Sequence, residues 1–137
     1  MSKRRVDKWI PVAYEALTKT GIAENGKVNG KFQSQIATFG AAVVMGSLRA
    51  ATAFFAQQGS AAVQREKLLQ AMYYIITKEN GAPELVTPKE VVHYVCNHES
   101  SSTREMFIDA AVALKLAMNL FDMGKGDKNE ESKPAVQ

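Results

Sequence analysis

The stretch FQSQIATFGAAVVMGSLRAATAFFAQQ, Phe32 to Gln58, is the longest patterned run in the chain. Ile36, Phe39, Val43, Gly46, Ala50 and Phe54 recur at the three-and-four spacing of one helix face. Val44, Leu48, Ala51 and Phe55 form a second stripe beside the first. A thin polar strip remains, made of Gln35, Thr38, Met45, Arg49 and Thr52. A helix apolar on most of its circumference is expected to be buried on most of it. The run therefore predicts one long central helix of an all-helical domain, with Arg49 as its single interior charge.

A membrane span is the rival reading, because Ile36 to Ala56 is long enough to cross a bilayer. Arg49 stands well inside the run, where a charge is costly, and alanine, glycine and threonine dilute its hydrophobicity. Neither an aromatic belt nor a basic flank accompanies it. Small residues suit close packing against other helices, so no membrane partner is expected.

With 137 residues, 46% hydrophobic and 23% charged, the composition is that of one globular domain with room for a core. A single cysteine rules out an internal disulfide. The start MSKRR runs into the amphipathic VDKWIPVAYEAL rather than an apolar block with a cleavage site, so a cytoplasmic location is expected. Charge is uneven. Residues 1–50 hold eight Lys and Arg against three Asp and Glu, whereas residues 51–137 hold nine against eleven. A basic first half points weakly to nucleic acid and equally to a solvated surface.

Outward from the central run, Val6 to Thr20 reads as a first helix with Val6, Ile10, Ala13 and Leu17 on its apolar face. Pro11 is acceptable there if Asp7 is the cap, which places the proline in the first turn. Gly21 stops the helix, and Gly21 to Gly30 reads as a polar loop. On the other side, Ser60 predicts the cap of a helix to about Thr77, stopped at Asn80-Gly81. Thr87-Pro88-Lys89-Glu90 combines a cap, a first-turn proline and a capping box, and opens a helix to about Asn97. Ser102-Thr103-Arg104-Glu105 repeats that logic for a last helix to about Met123, striped by Phe107, Ala110, Leu114, Ala117 and Phe121. No segment alternates long enough for a convincing strand. The expected architecture is all-α, a single-domain bundle of five to six helices around a long apolar central helix. Residues 1–123 form the bundle domain and residues 124–137, charged and without apolar pattern, a disordered tail.

Motifs for chemistry are few. Gly21, Gly26 and Lys27 match the G-x-x-x-x-G-K of a phosphate loop, but Val28 stands where Ser or Thr would hold magnesium, and a helix precedes the glycines instead of a strand. No two carboxylates share apolar surroundings suited to acid–base work. His93, Cys96, His98 and Glu99 cluster, yet Cys96 shares the stripe of Val91, Val92 and Val95 and reads as a small buried thiol. No catalytic residue, cofactor or metal is expected, and the chain reads as no enzyme. Binding remains. Lys8, Lys19, Lys31, Arg49, Arg65 and Lys67, carried on helices or beside them, are the candidate nucleic-acid-binding set, since such side chains hold phosphates without reading sequence. For Arg49 the structural alternative is a pair with an acid from another helix.

The segment KFQSQIATFGAAVVMGSLRAATAFF resembles the corresponding one in the small α-helical subunit of the type III-B CRISPR effector, the Cmr complex. That family runs from an aromatic near the helix start, through an apolar middle, to Gly-Leu and then Ala-Phe. Phe32 is the aromatic, Ser47-Leu48 stands for Gly-Leu with Gly46 one place earlier, and Ala53-Phe54 closes the segment. Ala13-Tyr14 of the first helix also matches. The last helix departs: the family's Trp-Leu-Lys-Arg run falls on Leu116-Ala117-Met118-Asn119, so only Lys115 is left there for RNA. The resemblance implies a non-enzymatic subunit in antiviral defence, stacked in copies as a filament beside other subunits of the complex. It would face guide RNA and target RNA and leave sequence recognition to base pairing. Two readings stand against it. One is a helical protein–protein adaptor without nucleic-acid contact. The other is a helix-turn-helix DNA reader, weakened by the long linker expected between the last two helices.

Overall fold

The computed structural model describes residues 2–57, 64–81 and 85–124. Six helices and three very short strands occur among them, in the order α1 (Lys3–Lys19), β1 (Ala23–Glu24), β2 (Lys27–Asn29), α2 (Gly30–Met45), α3 (Leu48–Phe55), α4 (Glu66–Lys78), α5 (Pro88–Asn97), α6 (Ser101–Met118) and β3 (Asp122–Gly124). The fold is an all-α bundle. The Ser60 cap and the tail beyond Gly124 lie outside the described residues.

The long central helix does not form. It breaks at Gly46-Ser47 into α2 and α3. Gly46 leaves helical geometry at φ −128° and ψ −110°, and the Ser47 hydroxyl accepts the Ala50 N–H at 3.0 Å, capping a new helix. The break rotates α3 relative to α2, so the two apolar stripes cannot continue. On α2 only Phe32, Ile36, Phe39 and Val43 are buried. Val44, Ala50 and Phe54, expected inside, are exposed.

The deepest helix is α6 instead. It packs against α1, α2 and α4 and buries Phe107, Ala110, Ala111, Ala113, Leu114, Ala117 and Met118. Its cap is Ser100, whose Oγ accepts the Thr103 N–H at 3.1 Å, and it ends at Met118 rather than Met123. The alanines let neighbouring helices approach closely enough for Phe39, Phe55, Phe107, Leu69 and Met72 to fill the core. Phe39 and Phe55 meet edge to face at 5.2 Å, which joins α2 to α3 across the break.

Helix α1 is longer than its apolar pattern suggests. Ser2, not Asp7, caps it, with its hydroxyl accepting the Arg5 N–H at 3.3 Å. Pro11 therefore lies mid-helix. It sits on the exposed side with Asp7, where water can satisfy the carbonyl that loses its partner. Asp109 of α6, fully buried, accepts the Ser2 N–H at 3.2 Å and lies 3.1 Å from Arg5 Nη1, fixing the start of α1 to the core. Gly21, at φ +81°, ends the helix as expected.

The polar loop after it is a hairpin. Asn25 and Gly26 both have positive φ, +54° and +76°, as the tightest two-residue turns require, and Ala23 pairs with Val28. β3 adds in parallel to β2 through Lys27–Asp122, Val28–Met123 and Asn29–Gly124. The glycines of the phosphate-loop-like match thus serve a helix stop and a hairpin turn. The capping box at Thr87 and Glu90 forms as read, and α5 ends at Asn97. Only residues 98–100 separate α5 from α6, so the linker is short, contrary to expectation. That removes the linker objection to the helix-turn-helix reading; against it stands the packing of α6 on α1, α2 and α4, which leaves Ser101, Ser102, Lys115 and Leu116 as its exposed positions.

Candidate nucleic-acid interface

The six candidate residues fall into two groups. Lys8, Arg49 and Arg65 are engaged within the fold. Lys19, Lys31 and Lys67 lie toward the end of the bundle that carries the sheet.

Lys8 Nζ lies 3.0 Å from Glu79 Oε2, and the same oxygen accepts Trp9 Nε1–H at 2.8 Å. Both donors hold the Glu79 carboxyl below the usual carboxylate range, the Trp9 hydrogen bond most strongly. Further along α1, Tyr74 Oη donates to Glu15 Oε2 at 2.7 Å and Lys78 Nζ reaches Glu15 Oε1 at 3.2 Å. The hydrogen bond from Tyr74 lowers the Glu15 pKa and pushes the Tyr74 phenol up to about 12. These two networks staple α1 to α4.

Arg49 is tied to α5. Its Nη1 stands 2.8 Å from Glu99 Oε1 and its Nη2 donates to the Cys96 carbonyl at 3.0 Å. That carbonyl is among the last of α5, where a cation complements the helix dipole. Arg49 thus pairs with an acid, close to the alternative given for it in the sequence, but Glu99 stands in the linker after α5 and not on another helix.

Arg65 is a correction. The sequence places it among the phosphate contacts, yet it is only 8% exposed. Its guanidinium lies 4.3 Å above the Phe54 ring and 5.4 Å from that of Phe55, and Nη2 donates to the Phe54 carbonyl at 3.4 Å. The aromatic pair that ends α3 folds the arginine under itself, and a planar, weakly hydrated guanidinium tolerates this. Sequence spacing could not foresee it, because Phe54 and Arg65 belong to two different helix patterns and periodicity within each says nothing of contacts between them.

Lys19 is exposed in the last turn of α1. Lys67 Nζ approaches within 3.4 Å of where a Cβ of Gly21 would stand, which brings the start of α4 beside the end of α1. Lys31, in the first turn of α2, follows the hairpin that contains Lys27. These positions share one end of the molecule, while Arg49 lies beside the far end of α5.

Cys96 is exposed, which corrects its reading as a buried thiol; Val91 and Val95 fill that stripe. His98 stacks on Tyr94 at 4.2 Å and uses Nδ1 on the Tyr94 carbonyl. No group of three metal-ligating side chains converges among the described residues. A cleft of about 630 Å³ is lined, among the described residues, by Ala53, Ala56, Gln57, Thr87, Pro88 and Lys89, which hold no acid–base pair. No helix among the described residues is long and apolar enough to cross a membrane. Compared with known protein families, with curated proteins and with solved structures, the chain matches none.

Proposed function

We propose that the chain is a non-catalytic small subunit of a type III-B CRISPR ribonucleoprotein effector, stacked copy on copy in a filament beside guide RNA and target RNA. The resemblance of Lys31 to Phe55 to that subunit motivates the reading. The observation that carries it is the open face of α2. No charge interrupts the sequence between Lys31 and Arg49, yet Ala37, Thr38, Ala41, Val44 and Met45 are exposed, the last two by 64% and 86%. A flat, uncharged face of this kind suits burial against a neighbouring subunit. RNA contact, in this reading, centres on Lys19 and Lys67 rather than on Arg49 or Arg65. A few phosphate contacts per copy give useful affinity once copies stand side by side.

Gel-shift titration with single-stranded RNA at low salt tests the RNA half of the reading. Wild type shifts RNA weakly, without sequence preference, and loses it as salt rises. Lys19→Glu with Lys67→Glu removes the shift, whereas Arg49→Glu with Glu99→Arg keeps it. A wild type that never shifts RNA, alone or assembled, favours the second reading, a protein–protein adaptor. The internal pairing of Lys8, Arg49 and Arg65 is the observation on its side.

A further inference from the structure

Asn-Gly occurs three times, at Asn25-Gly26, Asn29-Gly30 and Asn80-Gly81. The dipeptide is labile in general, because glycine has no Cβ to shield the backbone nitrogen that can attack the asparagine side chain. The fold puts the three in unlike surroundings. Asn25 is held at φ +54° in a two-residue turn closed by strand pairing on both sides. Asn29 is half-buried, pairs with Gly124 in the sheet, and its Oδ1 accepts the Lys31 N–H at 2.9 Å. Asn80 is exposed beyond the end of α4 and belongs to no strand. No atom of the described residues lies within 4 Å of a Cβ built at Gly81. Among the described residues, two single-turn bonds reach this corner, Asn80 N–H to Thr77 O and Gly81 N–H to Lys78 O, each 3.0 Å. Such bonds at a helix end open readily.

We infer that Asn80 is a site of spontaneous covalent modification, and that the fold protects Asn25 and Asn29. The Gly81 backbone nitrogen gives its proton to solvent base and bonds to Asn80 Cγ. The Cγ–Nδ2 bond breaks, and Nδ2 takes a proton from solvent and leaves as ammonia. Water then adds to either carbonyl of the resulting five-membered imide and opens it, leaving aspartate or isoaspartate at position 80. No oxidant or reductant is required.

The product acts on the α1–α4 staple. A new carboxylate appears next to Glu79, which accepts from Trp9 and pairs with Lys8. It also adds negative charge at the C-terminal end of α4, where the helix dipole opposes it. Isoaspartate further lengthens the backbone in the turn that closes α4. Modification therefore loosens the packing around Trp9, the one tryptophan of the chain.

The full chain is incubated at mildly alkaline pH and mapped by peptide mass spectrometry, with isoaspartate detected enzymatically and tryptophan emission followed in parallel. The peptide holding Asn80 is expected to gain the amide-to-acid mass and isoaspartate several-fold faster than those holding Asn25 and Asn29. Emission shifts to the red with the same time course, and Asn80→Gln abolishes both. The same chain in denaturant converts all three sites. Conversion in the folded chain that is as fast at Asn25 or Asn29, or absent at Asn80, overturns the assignment. Conversion at Asn80 without an emission change overturns the loosening of the staple.

Discussion

Arg49 and Glu99 form an ion pair at 2.8 Å that joins the first turn of α3 to the residue just past the α5 cap. About half of each side chain is open to solvent, so the pair itself is weak. Arg49→Ala is expected to lower stability by less than about 1 kcal/mol in urea denaturation, and Glu99→Ala should cost no more. A double-mutant cycle with a coupling energy well above that range would show the pair to be far better shielded than its exposure indicates.

Acid and alkali should weaken the α1–α4 contact through different groups. Glu15 and Glu79 have lowered pKa values in the folded chain, Glu15 first through Tyr74 and Glu79 first through Trp9. The unfolded chain protonates them earlier as pH falls. Their contribution is thus present above the ordinary carboxylate value and lost as pH drops through the lowered folded values. Tyr74 is raised from 10.0 to about 12, so its contribution is present below 10.0 and lost as pH rises across that window. The urea midpoint against pH should fall on both limbs. Tyr74→Phe should flatten the alkaline limb, and Glu79→Gln should shrink the acid one; an unchanged alkaline limb in Tyr74→Phe contradicts the assignment.

The break between α2 and α3 depends on the Ser47 cap. Ser47→Ala leaves the Ala50 N–H without its acceptor and should cost about 0.5–2 kcal/mol. Gly46→Ala places a Cβ 3.1 Å from the Ala42 carbonyl oxygen and should also destabilise. Thermal melts report both. A Gly46→Ala chain that is as stable as wild type would mean that the break does not need the glycine.

Arg65 should behave as a core residue. Arg65→Ala removes the cation–π contacts with Phe54 and Phe55, each worth about 0.5–2 kcal/mol, and uncovers the ring faces the guanidinium lies against. The measurable result is a lower melting temperature with RNA binding per folded molecule unchanged. Loss of RNA binding at full stability would return Arg65 to the interface.

The elements legible in the sequence are those with local chemical signals. Thr87, Pro88 and Glu90 announce α5, Gly21 closes α1, and the stripe through Phe107, Ala110 and Leu114 marks α6. The central run misleads. Its alanines and valines look buried on every side, but apolar content does not say which face has a neighbour, and a single capping serine turns the chain. The hairpin is legible in principle, since Asn25-Gly26 is the strongest short turn signal, but its strands are too short for alternation to show. At the candidate site, Lys19, Lys31 and Lys67 are identifiable as basic positions, and only tertiary contact brings them to one end. The partners of Lys8, Arg49 and Arg65 are distant in sequence, at Glu79, Glu99 and Phe54, and no spacing rule reaches them.

Native mass spectrometry of the tagged full chain, purified gently from its source cells, tests the central proposal most directly. Assemblies holding several copies of this chain with other effector subunits and a small guide RNA are expected, with loss of the copy-to-copy contact in Met45→Glu. A lone monomer without RNA or partner subunits, unchanged by Met45→Glu, would contradict the proposal.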